Sequence, residues 1–195
     1  DDYRKIKVEV QTGCEQIGYK LLDKNGNVIL TTDSPEITLE KPVLWDTDNP
    51  YLYTMVVTTE TDSYEERFGI RKVTYDKLVY LKGFGMHEDF FLLGKGNCSA
   101  VNIRNFELLK WTNANSIRTS HYPYSEEIMN LCDEYGIMVI DEVPAVGINH
   151  WLPMTFDDEK ANGELQVLHK ELIKQLLERD KNHPCVVMMS VANEA

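Results

Sequence analysis

The fold class is decided by residues 116–142, SIRTSHYPYSEEIMNLCDEYGIMVIDE, in which a strand, a helix and a second strand follow closely on one another. The pattern predicts a short strand over residues 116–119. The helix that follows is predicted to begin at Ser125 as its N-cap and to end before Gly136, which suits a helix C-terminus. An apolar strand over residues 137–141 comes next. Strands of this apolar kind, separated by helices, are typical of a parallel sheet with both faces covered.

The alternation of strands and helices extends on both sides of this stretch. Upstream, we predict a strand over residues 79–83 and a helix over residues 103–113. Downstream, residues 165–181 have the spacing of an amphipathic helix that residues 182–184 terminate, and residues 186–191 have that of a strand. Four strands and three helices are too few to close an eight-stranded barrel. The residues by themselves therefore also allow a small open α/β sheet.

In the first part of the chain, apolar residues recur with a different period. From residue 6 to about residue 75, short apolar runs alternate with polar residues, as in strands that bury one face. The segment at residues 23–27, DKNGN, suits a hairpin turn because its Asn-Gly pair tolerates positive φ. About six such strands indicate an antiparallel sandwich of immunoglobulin-like type, and the chain can start inside it. We therefore predict this sandwich for residues 1–76 and parallel β/α units for residues 77–195.

Bulk composition limits the kinds of partner. The 195 residues are 43% hydrophobic, which is enough to form a core, and the formal net charge is -12. Nucleic acid and anionic membranes are repelled on average by such a chain, so neither is an expected ligand. The longest apolar runs, 137–140 and 186–189, are too short to cross a bilayer.

Cysteine usage indicates a reducing compartment. The four cysteines have neither zinc-finger nor redox spacing, and two of them lie in apolar surroundings: Cys14, Cys98, Cys132 and Cys185. No signal-peptide pattern occurs at the N-terminus, although a removed leader would leave no trace. We expect a cytoplasmic protein that binds no metal at these cysteines.

Polar or ionisable residues follow each predicted strand of the second part. The carboxyl ends of parallel strands face the active-site mouth in α/β folds, so these side chains are expected at one rim. They are His87, Glu88 and Asp89, then Ser120, His121, Tyr122 and Pro123, then Asp141 and Glu142, and finally Asn193 and Glu194. Because polar or ionisable residues recur after four apolar strands, we predict a site that contains carboxylate, imidazole and amide groups. No nucleophile elbow or Gly-rich phosphate loop is present in the sequence.

Four segments resemble family 2 glycoside hydrolases, and they occur in that family's order. They are KGFGMHED at 82–89, NANSIRTSHYPY at 113–124, IDEVPAVG at 140–147, and RDKNHP at 179–184 with the later pair Asn193-Glu194. The resemblance spans roughly residues 45 to 195. The motifs RTSHYPYSEE and RDKNHP are more similar to those of the β-glucuronidase branch than to those of the β-galactosidases.

This resemblance implies an immunoglobulin-like domain followed by the first four β/α units of a (β/α)8 TIM barrel. It implies a retaining hydrolase of terminal β-D-glucuronides in which Glu194 is the general acid/base, while the nucleophilic Glu lies on a later strand outside this chain. Asn193 is expected to hydrogen-bond the sugar hydroxyl next to the anomeric carbon. The family implies a glycoside as substrate, no cofactor, and a homo-oligomer for the full-length enzyme.

Supporting roles are expected for the remaining rim residues. His121 either contacts substrate or is packed at its strand end. Arg118 and Asp141 are predicted to form a structural pair beneath the site, since a charge inside a barrel needs a partner. Glu142 is expected to support the site by contacting the residues that bind substrate, without itself binding substrate. Trp151 lies in the loop between Gly147 and Gly163 and either anchors that loop or stacks on a sugar.

Two other functions stay open on the sequence. The first is β-galactosidase activity within the same family. The second is a non-catalytic carbohydrate-binding or interaction fragment, because half a barrel without its nucleophile cannot complete a double displacement. A second catalytic Glu and an Asn-x-Lys motif beyond residue 195 would distinguish the glucuronidase from both.

Overall fold

The computed structural model describes residues 3–74, 78–148 and 163–194. The chain divides into two compact units, Asp1–Leu78 and Val79–Ala195. No helix among the described residues is both long and apolar enough to span a membrane.

The first unit is built from antiparallel strands, as its alternating pattern predicts. The described part of this unit contains β1 (Lys5–Lys7), β2 (Gly18–Leu22), β3 (Val28–Thr32), β4 (Glu36–Thr38), β5 (Tyr53–Thr58) and β6 (Ser63–Phe68). Strands β3, β2, β5 and β6 form one sheet in that order, and β1 pairs with β4 in a second.

Alternate residues of these strands form the core of the first unit. Tyr19, Leu21, Tyr53 and Met55 are buried together with Ile37, and in β2 and β4 the neighbouring residues along the strand are half-buried or exposed. Burial of each large apolar side chain contributes on the order of 1.5–3 kcal/mol. The sandwich is therefore stabilised by the period-2 pattern that predicts it.

The turn between β2 and β3 has the chemistry that its sequence indicates. Asp23 Oδ1 accepts hydrogen bonds from the backbone amides of Asn25 and Asn27, both at 2.8 Å. Gly26 has a φ of 82°, which a side chain would disfavour. The loop is thus fixed by one carboxylate and one glycine.

The second unit alternates strands and helices. Its described residues form β7 (Gly83–Met86), β8 (Asp89–Phe90), β9 (Gly94–Lys95), α1 (Ser99–Trp111), β10 (Ser116–Thr119), α2 (Glu126–Tyr135), β11 (Met138–Glu142), α3 (Gly163–Asp180) and β12 (Val186–Ser190). Strands β7, β10, β11 and β12 form a parallel sheet in chain order, and β8 pairs with β9 as a hairpin. The prediction of a parallel sheet formed by β/α units is confirmed.

The first strand of this sheet lies later than predicted. Residues 79–83 were expected to form it because of their apolar run, but β7 is Gly83–Met86, and Val79 is exposed. The reason is the close approach of two backbones. A Cβ at Gly83 would collide with the carbonyl oxygen of Ser116, so glycine is needed where β7 pairs with β10.

Helix α2 is bounded by the signals that predict it. The Ser125 side chain accepts a hydrogen bond from the amide of Ile128, and Gly136 is left-handed with a φ of 68°. The apolar face of α2 buries Ile128, Met129 and Cys132. Helix α1 begins four residues before its predicted start, because its N-cap, Cys98, makes no side-chain capping bond that a sequence could reveal.

Candidate active site

Glu142, the last residue of β11, is fully buried at the carboxyl end of the sheet. Arg118 Nε donates to its Oε2 at 2.7 Å, and Ser190 Oγ donates to the same oxygen at 2.5 Å. His121 Nδ1 lies 2.8 Å from Oε1. Burial raises the pKa of Glu142, but the hydrogen bonds from Ser190, His121 and Arg118 together outweigh it and leave that pKa below its ordinary value. Glu142 is therefore a carboxylate.

The charge state of Glu142 determines the orientation of His121. A carboxylate only accepts hydrogen bonds, so His121 Nδ1 must be the donor. In neutral His121 this assigns the proton to Nδ1 and leaves Nε2 as an acceptor. The peptide bond that joins Ser120 to His121 is cis.

Arg118 also contacts Asn193. Its Nη2 donates to Asn193 Oδ1 at 2.8 Å, while Nη2 and Nε both contact Glu142 Oε2. Since a guanidinium has no acceptor, the amide oxygen of Asn193 must face it. The amide nitrogen of Asn193, which is a donor, therefore points away from Arg118.

The backbone after β12 is fixed in position by the segment after β11. The backbone N–H of Asn193 donates to the backbone carbonyl of Ala145 at 2.7 Å, and the backbone carbonyl of Asn193 accepts from the backbone N–H of Gly147 at 2.9 Å. Glu194 follows directly, with an exposed side chain and a φ of 51°. A left-handed conformation at a non-glycine residue costs on the order of 1–3 kcal/mol and is found disproportionately at functional sites.

The ring of His121 packs against that of His87, which in turn lies near Tyr122. The His87 ring packs edge-on against that of His121, with centroids 5.4 Å apart, and lies 6.3 Å from the ring of Tyr122. The Tyr122 hydroxyl accepts a hydrogen bond from the amide of Glu88 at 3.0 Å, and Lys95 Nζ lies 4.3 Å from the Tyr122 ring centroid. The residues after β7 and β10 thus meet at one rim, as the sequence predicts.

The predicted pair of Arg118 and Asp141 is wrong. Successive strand residues point to opposite faces, so Asp141 lies on the face opposite Glu142 and Arg118. On that face Asp141 Oδ1 accepts from Thr119 Oγ1 at 3.2 Å, and the Asp141 carboxyl lies beside that of Asp180 in α3. Arg118 pairs with Glu142 instead.

Asp141 and Asp180 form a buried carboxyl pair. Arg179 binds Asp180 through two hydrogen bonds of 2.7 and 2.6 Å, whereas Asp141 Oδ2 has no donor of ordinary geometry within residues 3–74, 78–148 and 163–194. Burial, together with the neighbouring Asp180 carboxyl, raises the pKa of Asp141 to about 7 despite Arg179. A proton on Asp141 relieves the repulsion between the two carboxyl groups.

One group of possible metal ligands lies at the other end of the sheet. His183 Nδ1 is 2.7 Å from Asp133 Oδ2, and the Cys185 amide donates to Asp133 Oδ1 at 3.0 Å. Ligand atoms of these three residues lie within 4.8 Å of one another. Because these hydrogen bonds join α2 to the start of β12, we interpret the group as a structural link.

Of the residues to which the sequence gives a role at the site, the structure brings together Arg118, His121, Glu142 and Asn193. Glu194 is next to them in sequence, and Asp141 is on the opposite face. Trp151 lies outside the described residues. Sequence reasoning missed Ser190, although a polar residue at the end of an apolar strand was the available signal.

Family models match both units. "Glycosyl hydrolases family 2" matches residues 1–71, and "Glycosyl hydrolases family 2, TIM barrel domain" matches residues 72–195. Among curated proteins, the chain is 40% identical to the β-glucuronidase of Streptococcus agalactiae over 96% of its own length and 34% of the relative's. It is 42% identical to that of Mus musculus over 92% and 30%. The chain spans about a third of the length of the curated relatives it matches.

Solved structures of β-glucuronidases are also similar to this chain. The chain superposes on the β-D-glucuronidase of Dictyoglomus thermophilum with a TM-score of 0.86 and 40% identity, over 95% of this chain and 35% of that one. A β-glucuronidase of Ruminococcus gnavus in complex with uronic isofagomine gives 0.84 and 39%, over 94% and 35%.

Proposed function

Because this chain belongs to the family 2 glycoside hydrolases, we propose that it contributes the acid/base half of a retaining β-glucuronidase. Its four parallel strands are then the first four of an eight-stranded barrel. The nucleophilic carboxylate belongs to a later strand, outside these 195 residues. The observation that carries the proposal is the hydrogen bond from Arg118 to Asn193, which orients the amide just before Glu194.

Glu194 is the proposed general acid/base. As an acid it protonates the glycosidic oxygen while the leaving group departs, and as a carboxylate it then removes a proton from the water that attacks the glycosyl-enzyme. Its position shortly after β12 supports this role, because the carboxyl ends of parallel strands face the substrate in barrel enzymes.

Asn193 and His121 are the proposed sugar-binding residues. The Asn193 amide nitrogen, which points away from Arg118, donates to the oxygen at the sugar's 2-position, where hydrogen bonds strengthen in the transition state. His121 presents Nε2 as the atom that meets a hydroxyl, since Nδ1 is occupied by Glu142.

Glucuronide is the proposed sugar. Support comes from relatives named β-glucuronidase at about 40% identity and from a neighbouring structure that contains uronic isofagomine. The test is hydrolysis of an aryl β-glucuronide and an aryl β-galactoside by the protein at its natural full length. We expect turnover of the glucuronide, with the β-anomer of the free sugar formed first by NMR. Preference for the galactoside, or an α-anomer as first product, would contradict the proposal.

A further inference from the structure

Glu142 joins three parts of the candidate site. Its carboxylate accepts from Arg118 on β10, from Ser190 at the end of β12, and from His121 in the segment after β10. The side chain is fully buried at the end of β11. Removal of a buried charge partner is costly, so these contacts are expected to persist.

Glu142 is linked to Asn193 through Arg118. The guanidinium is planar, and its Nε and Nη2 both lie against Glu142 Oε2, which fixes the plane from which Nη2 also reaches Asn193 Oδ1. Without the carboxylate, Arg118 can rotate out of this plane. The orientation of the Asn193 amide therefore depends on a residue that it does not contact.

The contact with His121 is direct. Oε1 accepts from Nδ1 at 2.8 Å, so Glu142 sets both the ring orientation and the nitrogen that faces outward. We infer that Glu142 is a positioning residue that orients Asn193, through Arg118, and His121 for contact with the sugar. This inference rests on the proposed function.

A buried ion pair that only stabilises the fold is the competing explanation, and the chain offers a matched control. Asp133 is also a buried carboxylate that accepts from a histidine Nδ1, at 2.7 Å from His183. It lies at the opposite end of the sheet, where its second oxygen accepts from the amide of Cys185, just before β12. Loss of either carboxylate should lower stability, but only loss of Glu142 should disturb substrate contacts.

The experiment compares Glu142→Gln with Asp133→Asn in the protein at its natural full length. For Glu142→Gln we expect kcat on an aryl β-glucuronide to fall about 100-fold, the scale of a misplaced contact group, with KM changed by less than about threefold. Asp133→Asn should leave kcat within about threefold of wild type at a temperature where both variants are folded. Equal losses in the two variants, or a kcat for Glu142→Gln near wild type, would overturn the inference.

Two further measurements keep the test decisive. If Glu142→Gln does not fold, Glu142→Asp retains the charge on a side chain one methylene shorter, and we expect its kcat to fall while that of the Asp133→Glu control does not.

Crystal structures of wild type and variant report the distance from Arg118 Nη2 to Asn193 Oδ1, which is 2.8 Å here. Without Glu142, we expect this hydrogen bond to be broken. This structural readout remains valid if the wild type hydrolyses no glycoside, an outcome that contradicts the proposed function alone. An unchanged distance would overturn the positioning role.

Discussion

Arg118 Nη2 donates a hydrogen bond to Asn193 Oδ1 at 2.8 Å, and this contact decides which end of the side-chain amide faces away from Arg118. Arginine has donors only, so an inverted amide would place two donors against each other. Asn193 can therefore offer substrate an N–H group but not its carbonyl oxygen. The proposed contact with the sugar's 2-oxygen requires this polarity.

Asn193→Asp tests that polarity. The aspartate can still accept from Arg118, but the outward N–H donor is lost. We expect kcat/KM for an aryl β-glucuronide to fall about 100-fold, as when one transition-state donor is removed elsewhere. The matched 2-deoxy substrate should lose far less, because it makes no such contact in wild type. A similar loss on both substrates, measured in steady-state assays, would show that the substitution disturbs the site in another way.

Glu194→Gln tests the acid role. Substrates with poor leaving groups need protonation, so the glycosylation rate for an alkyl glucuronide should fall by about 10²- to 10⁴-fold. A dinitrophenyl glucuronide, whose leaving group departs as a stable anion, should lose much less in the same step. Glu178→Gln is the control and should leave both rates unchanged, because Glu178 is an exposed carboxylate of α3 that pairs with Lys181, just past the end of the helix. Pre-steady-state kinetics that show equal losses for the two substrates would remove Glu194 from this role.

Asp141→Asn should change how stability depends on pH. The pKa of Asp141 is raised from 3.8 to about 7, so between these values the folded protein holds a proton that the unfolded chain has lost. The contribution of this carboxyl to stability is therefore full below pH 3.8 and is lost as the pH rises through about 7. Asparagine stays neutral throughout, so the variant should gain stability relative to wild type as the pH rises.

Calorimetry from about pH 5 to about pH 8 measures this effect, with a Tm difference that grows by about 2–4 °C for each kcal/mol in a chain of this size or larger. Asp33→Asn, in an exposed loop of the first unit, is the control and should give a constant difference. A Tm difference for Asp141→Asn that is independent of pH would mean that Asp141 is ionised in the folded protein.

Local signals explain which parts of the fold could be predicted. Ser125 and Gly136 bound α2 as expected because capping chemistry acts within one helical turn. Strand β7 was misplaced because its position depends on how closely Gly83 approaches Ser116, a residue 33 positions away in sequence. The order of the parallel sheet followed from the β/α repeat, since each helix returns the chain to the neighbouring strand.

Site membership was easier to predict than site contacts. The rule on strand ends selected His121, Glu142 and Asn193, which the structure brings together. It could not pair them, because partners depend on which face each strand residue occupies, and so Arg118 was assigned to Asp141 instead of Glu142. The roles of these residues, and that of Glu194, stay predictions.

The 195-residue chain by itself should show no glycosidase activity. Retaining hydrolysis needs a second carboxyl group about 5 Å from the acid/base to form the glycosyl-enzyme. Two carboxylates at the ends of β7 and β11 already accept hydrogen bonds: Glu142 accepts from Arg118, His121 and Ser190, and Glu88 accepts from the Ser125 amide. Asp141 lies on the opposite face of the sheet.

The assay uses the purified 195-residue chain with an aryl β-glucuronide and an aryl β-galactoside, each beside the Glu194→Gln variant. We expect rates equal to those of that variant, because Glu194 can donate a proton but cannot replace the missing nucleophile. Circular dichroism should first establish that both chains are folded. Turnover above the variant would mean that these residues supply their own second carboxylate. In that case Glu88→Gln, Asp141→Asn and Glu142→Gln, made singly, would identify it by loss of the activity.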